Sequence, residues 1–367
     1  MILDAVEKLG DGDLVLGYHY TLAAIVCASI LQILISFTKL PEKMRHFPEA
    51  IIRGMMMAIG LIVILKQTFV LLGFKAPRVS MIEAFGEIPH AILGMQIETF
   101  LIGIFVILLI FFWRKYFEKY KTFKAISVYL VAIIFSSIIA YVFHISDNRH
   151  YLMEVMAQPV SALFVSLPNS TTGIFSFPNF GKFWSYQFAI SVFTIFAVGS
   201  LEHILSAIAV DKLDPLNRGQ KRPTNLKKDL RAVGLGNLLC GSIGALPMIA
   251  EIVRGSANVK YGATNKWSNF FHGLCLLVMI TIFNGVLKFI PLCVLAGMLI
   301  MIGWNLMNFK LFSKIFRKHS HNFLIIMSVV FFTLYIDLLV GISSGVIIHL
   351  VAQRFFRKRS KIIKIGS

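Results

Sequence analysis

Two groups of polar residues stand inside strongly apolar sequence, and their types are those that hold ions. The first is Glu202 with Ser206 in AVGSLEHILSAIAVDKLDP. Residues four apart share one face of a helix, so the carboxylate and the hydroxyl would point the same way. A carboxylate at the centre of a membrane helix costs roughly 2.5–3.5 kcal/mol on insertion scales, so it is normally turned to a cavity and used. Such a pair can hold a proton or a sodium ion. The structural alternative is a carboxylate paired with a basic side chain for packing. His203 falls off that face and reads as a packed histidine.

The second group lies in Pro247–Thr264, PMIAEIVRGSANVKYGAT, with Glu251, Arg254, Ser256, Asn258 and Lys260. Pro247 opens it and Gly255 and Gly262 punctuate it, which disfavours a continuous helix through a bilayer. The pattern predicts a short extended lead-in and a half-helix starting near Val253–Arg254. A helix that starts inside a membrane aims unpaired N–H groups and a positive dipole end at what lies ahead, which binds an anion away from water. Arg254 would be the counter-charge and Ser256 would add a hydroxyl. The competing role for Arg254 is an ion pair with Glu251 or Glu202. Asn258 reads as fastening the half-helix to a neighbour.

The elements that must position these groups are membrane spans. The chain has 367 residues, 57% of them hydrophobic and only 15% charged, with a mean hydropathy of +0.77. That composition belongs to an all-α polytopic membrane protein in a lipid bilayer. Windows of about 19 residues predict crossings near Tyr18–Phe37, Ala50–Leu72, Ile97–Trp113, Lys124–His144, Trp184–Val210, Lys227–Leu246, Asn269–Phe289, Pro291–Leu306, Asn322–Leu338 and Val340–Phe355. With the half-helix, about eleven segments are expected. The net charge of +18 comes from Lys and Arg in short segments between spans. These fall in alternate loops, around 39–45, 114–124, 212–228, 310–318 and 354–361, which predicts a cytoplasmic C-terminus in the inner (plasma) membrane and argues against nucleic acid as a partner. Loops 73–96 and 145–183 would face outward.

An internal repeat is visible as well. Pro48–Gly60, PEAIIRGMMMAIG, can be laid on Pro291–Gly303, PLCVLAGMLIMIG, with the proline, both glycines, a methionine and an isoleucine coinciding. Basic residues precede the first copy and follow the second, so the two cross in opposite directions, as in an inverted-repeat transporter. Other motifs read as structural. Gly234, Gly236, Gly241 and Gly244 predict close helix packing, not a phosphate loop. His144, Asp147, His150 and Glu154 fit no zinc signature. Lys310–Lys318 reads as a basic amphipathic helix on the inner surface. The four cysteines, Cys27, Cys240, Cys275 and Cys293, all fall in apolar spans without CxxC spacing. With no nucleophile–base or metal-ligand set converging in the spans, neither an enzyme nor a cofactor is expected.

GSLEHILSAIAVDKLDP, LPMIAEIVRGSANVKYGATNKWSNFFHG and IPLCVLAGMLIMIGWNLM, in that order and spacing, resemble the sulfate permease (SulP) family of anion transporters. The resemblance implies two inverted repeats of seven segments, a core and a gate domain, and a homodimer. It implies a secondary transporter of inorganic anions, sulfate or bicarbonate above all, coupled to H+ or Na+ or exchanging. Glu202, with Ser206, then falls at the coupling-ion position. Val253, Arg254, Gly255 and Ser256 fall at the substrate-binding turn, with Val253 standing where the family often has serine. It further implies that the whole chain, 1–367, is the transmembrane transporter domain. The family's first two segments and most of the third are expected to be absent, Ile2–Gly10 resembling the third's tail, and the STAS domain with them. The alternatives are a nucleobase- or ascorbate-type carrier of the same architecture and a non-transporting truncated remnant.

Overall fold

The computed structural model describes residues 2–75, 81–117, 119–120, 127–142, 164–165, 175–214, 218–260, 262–287, 289–307 and 320–365. Its longer helices are α1 (Ile2–Gly10), α2 (Leu14–Ser36), α3 (Glu49–Leu71), α4 (Met81–Leu93), α5 (Ile97–Phe112), α6 (Val128–Val142), α7 (Tyr186–Leu213), α8 (Leu226–Ile243), α9 (Ile252–Lys260), α10 (Trp267–Thr281), α11 (Leu292–Met307), α12 (Ser320–Tyr335) and α13 (Leu338–Ile365). Among the described residues the only β pairing is an isolated bridge between Phe164 and Pro291. Segments 14–36, 49–71, 97–117 and 186–213 are long and apolar enough to cross a membrane, and five shorter apolar helices accompany them. Each overlaps a span expected from hydropathy. Leu101, Leu108, Phe111, Leu276 and Leu277 are exposed on these helices, as side chains bathed in lipid should be.

The chain divides into two compact units, one of Met1–Ile52 with Asn169–Ser268 and one of Arg53–Pro168 with Asn269–Ser367. In the first, Asp13 caps α2 by accepting the N–H groups of Val15 and Leu16 at 2.9 and 3.1 Å. Leu9, Leu22, Ile25 and Ala28 of α1 and α2 then pack with Phe188 and Ile195 of α7. Helix α8 lies along α2 because its glycines admit a close approach. A Cβ at Gly234 would sit 2.9 Å from Ile33 Cγ1, and one at Gly241 would sit 3.0 Å from Ile25 Cγ2. This is the packing role expected of the glycine pattern. Gly244, at φ +93°, ends α8 in the left-handed conformation that favours glycine.

The second unit shows the internal repeat in three dimensions. A Cβ at Gly60 of α3 would lie 2.6 Å from the carbonyl oxygen of Gly303, and one at Gly303 of α11 would lie 2.7 Å from that of Gly60. Each glycine thus makes room for its own counterpart, the reciprocity of a two-fold contact. The earlier pair packs against other helices instead of against each other: Gly54 abuts Val329 of α12, while Gly297 abuts Gly103 and Val106 of α5. Ile102, Val106 and Ile110 of α5, Val128 and Ala132 of α6, and Cys293, Val294 and Met298 of α11 form one core.

Two differences from the sequence reading concern lengths and loops. Segment 73–96, expected as an open outer loop, contains helix α4, whose Ala84 and Ala91 pack with Leu65, Phe69 and Leu72 of the α3 end. Ala84, Ile88 and Ala91 recur at helical spacing, and Pro89 is accommodated inside the helix. Helix α13 runs to Ile365 instead of stopping near Phe355. The His144–Glu154 group and the Lys310–Lys318 stretch lie outside the described residues.

Candidate functional site

Helix α7 carries the first polar group. Ser185 caps it by accepting the Phe188 N–H at 3.1 Å, and it then runs unbroken past Glu202, His203 and Ser206. Both His203 and Ser206 are 2% exposed. Glu202 is less enclosed, because it lines a cavity of about 210 Å3. Ser29 and Gln32 of α2, Asn237 of α8, and Pro247 and Ile249 of the lead-in line it too. Liquid water takes about 30 Å3 per molecule, so the space suits a small hydrated ion. Ser206 is not part of this lining. Glu202 therefore shares this cavity with polar groups of α2 and α8, while Ser206 lies outside its lining.

The broken segment is built as expected. Residues 245–251 are not helical, and α9 begins at Ile252, so Arg254 stands in its first turn. Two side chains hold the lead-in, one from α8 and one from α7. Met248 N–H donates to Asn237 Oδ1 at 2.6 Å, and Ala250 N–H donates to His203 Nδ1 at 3.0 Å. The Met248 contact also fixes the Asn237 amide. With its oxygen committed, its Nδ2 donates to Gln32 Oε1 at 3.0 Å. Gln32 and Asn237 are each 2% exposed.

On α9, Arg254 is ion-paired through Nε to Glu251 Oε2, the role that competes with anion binding in the sequence reading. The two side chains are 72% and 47% exposed, so solvent screening leaves the pair worth about 0–1 kcal/mol. It holds little of the fold, and an anion can compete for the guanidinium. Gly255 lets the half-helix approach α7, since a Cβ there would sit 2.8 Å from Val210 Cγ2. Asn258 Oδ1 accepts the Ser268 hydroxyl, fastening the half-helix to the start of α10. The side chains of Val253 and Ser256 lie outside the described residues.

Below the site, carboxylates at the end of α7 tie the chain down. Asp211 accepts the Thr224 N–H and hydroxyl at 2.9 and 2.7 Å and lies 3.7 Å from Arg45. Asp214 accepts the backbone N–H and Nε of Arg218, both at 2.9 Å, while Arg218 Nη1 donates to Ala263 O at 2.8 Å. The Asp214 carboxylate holds the Arg218 guanidinium above its usual range. Among the described residues no three His, Cys, Asp or Glu side chains gather to hold a metal ion.

Three side chains of the site were missed. Gln32 and Asn237 are polar residues within the apolar stretches ILQILIS and GNLLCG, a signal that the cost of burying an amide would have justified following. His203 was read as packed. It is buried, but it also bonds the lead-in.

Comparison with known proteins places this geometry. The transmembrane domain of a cyanobacterial bicarbonate transporter, BicA, superposes with a TM-score of 0.69 at 22% identity, covering 93% of this chain and 80% of that one. The murine anion transporter Slc26a9 in its inward-facing state gives 0.68 at 14% identity, covering 92% and 53%. These likenesses establish an inverted-repeat transporter fold. Among curated proteins, YvdB of Bacillus subtilis, which carries a provisional sulfate-transporter name, is 24% identical over 357 residues, 95% of this chain and 62% of its own. The bicarbonate transporter BicA of Picosynechococcus sp. is 23% identical over 335 residues, 90% of this chain and 55% of its own. The chain thus spans 55–62% of the length of these two relatives. The model of the sulfate permease family matches residues 1–329, across α7, α9 and both copies of the repeat, and the protein is a multi-pass membrane protein that belongs to that family.

Proposed function

We propose that the protein works in secondary active transport of inorganic anions, with sulfate or bicarbonate as substrate. The observation that carries this reading is the half-helix α9, which starts behind an extended lead-in and presents Arg254 in its first turn, while that lead-in borders a cavity containing Glu202. The backbone N–H groups of the first turn, Ile252, Val253 and Arg254, supply the helix-start dipole, the Gly255 N–H being bonded to Glu251 O at 2.9 Å, and Arg254 exchanges Glu251 for the anion. Glu202 on α7 is the coupling-ion position, for H+ or Na+, with Ser206 one turn along the helix and outside the cavity lining. The unit that contains α7, α8 and α9 is the mobile core in this reading, and the protein works as a homodimer in the inner membrane with its C-terminus in the cytoplasm. The names of the curated relatives and the alternation of basic loops support these assignments.

The test is uptake of radiolabelled sulfate and bicarbonate by proteoliposomes containing the protein. Loss of a charge-assisted contact of about 1.5 kcal/mol should make Arg254→Ala take up anion about tenfold less efficiently. Glu202→Gln should remove the dependence on a proton or sodium gradient. Normal uptake by both variants would refute the site. Uptake of uracil with none of either anion would turn the assignment to a nucleobase carrier.

A further inference from the structure

The lead-in to α9 is held by a histidine whose tautomer the structure determines. A peptide N–H can only donate, so the Ala250 N–H at 3.0 Å from His203 Nδ1 requires a lone pair on that nitrogen. The ring proton therefore sits on Nε2. That atom lies 2.8 Å from Asp229 Oδ2 of α8. The approach is too bent for a well-formed hydrogen bond, so the carboxylate acts on the ring mainly as a charge that favours the N–H on its side. A carboxylate behind a histidine commonly fixes which nitrogen carries the proton.

We propose that His203 is a positioning residue for the half-helix, kept in its Nε2–H form by Asp229 so that Nδ1 can receive the Ala250 N–H. Ala250 is two residues from the first residue of α9. Fixing its N–H therefore fixes the direction in which the first turn aims its own N–H groups and Arg254. Asn237 does the same at Met248, and the two anchors together define the path of the lead-in, as one would not. Two further carboxylates adjoin the anchor in sequence, Glu202 before His203 on α7 and Glu251 after Ala250 in the lead-in. The role rests on the reading of α9 as an anion site, whereas the tautomer and the anchor do not.

Three measurements on the whole chain in lipid test the proposal. Nitrogen NMR on isotope-labelled histidine should show His203 with Nδ1 unprotonated and Nε2 protonated; the opposite tautomer would overturn it. Amide exchange at Ala250 should accelerate in His203→Ala and stay slow in His203→Asn, whose Oδ1 replaces the Nδ1 acceptor. Equal exchange in all three proteins would overturn the anchor. For anion uptake, His203→Ala should raise the KM about tenfold with kcat changed less than about twofold, and His203→Asn should restore the KM. A KM left unchanged while the yield of folded protein falls would mean a purely structural histidine and would overturn the positioning role. Absence of anion uptake in the unsubstituted protein would instead refute the transport reading, with the NMR and exchange results still deciding the anchor.

Discussion

Replacing Asn237 with leucine tests whether the lead-in to α9 is held by the buried amide chain described above. Leucine keeps the branched outline of asparagine with the same number of side-chain heavy atoms, but its methyl groups are bulkier than the amide, so some overpacking adds to the loss. What is lost is the acceptor for the Met248 N–H at 2.6 Å and the donor to Gln32 Oε1 at 3.0 Å. Both orphaned groups are in a region where Asn237 and Gln32 are 2% exposed. Orphaning a buried polar group costs about 1–3 kcal/mol, which gives about 2–6 kcal/mol for two. Side-chain hydrogen bonds measured between membrane helices average only about 0.6 kcal/mol and reach about 1.7. The membrane scale lowers the expectation to about 1–3 kcal/mol. The assay is reversible denaturant unfolding in mixed micelles for Asn237→Leu, Gln32→Leu and the double variant. Each single change strands the other amide, and the double strands neither. The double should therefore be about 1 kcal/mol more stable than the sum of the singles predicts. Additivity within about 0.5 kcal/mol would mean that the two amides do not interact and would refute the reasoning.

The remaining predictions concern the repeat and the half-helix. Gly60→Ala and Gly303→Ala each place a methyl 2.6–2.7 Å from a facing carbonyl oxygen, and each should cost about 1–3 kcal/mol in the same unfolding assay. Gly273→Ala is the control, since a Cβ there meets nothing within 4 Å; a helical alanine should be neutral or stabilise by up to about 1 kcal/mol. Glu251→Gln removes the competitor for Arg254, and because the pair is exposed and screened the anion Kd should tighten by no more than about fivefold. A weaker Kd would mean that Glu251 positions Arg254 instead of competing for it. Gly255→Val should push α9 away from Val210 and weaken anion binding while leaving the fold of α7 intact, as circular dichroism and binding together would report.

Much of the fold could be read from residue order because membrane segments obey a strong local rule. A run of about 20 apolar residues must cross or be buried, so α2, α3, α5 and α7 followed from hydropathy. The half-helix was legible because Pro247 and Gly255 interrupt that pattern at a place that also carries charge. The repeat was legible because glycines at close contacts tolerate no substitute, and Gly60 and Gly303 meet each other. Helix α4 was less so, since its alanine face is only weakly apolar and the packing against Leu65 and Phe69 decides its conformation. The polar contacts around the lead-in were invisible for a different reason. Gln32 is 205 residues from Asn237 in sequence, and His203 is 47 from Ala250. Local spacing could suggest that Glu202 and Ser206 share a face, but tertiary packing determines which polar groups share a cavity.

The most direct test of the central claim is equilibrium binding of radiolabelled sulfate to the purified protein in lipid, with bicarbonate and uracil as competitors. The account predicts saturable binding that bicarbonate displaces and uracil does not, weakened about tenfold by Arg254→Ala, the loss of one charge-assisted contact. Binding of the same strength in Arg254→Ala, or displacement by uracil and not by bicarbonate, would contradict it.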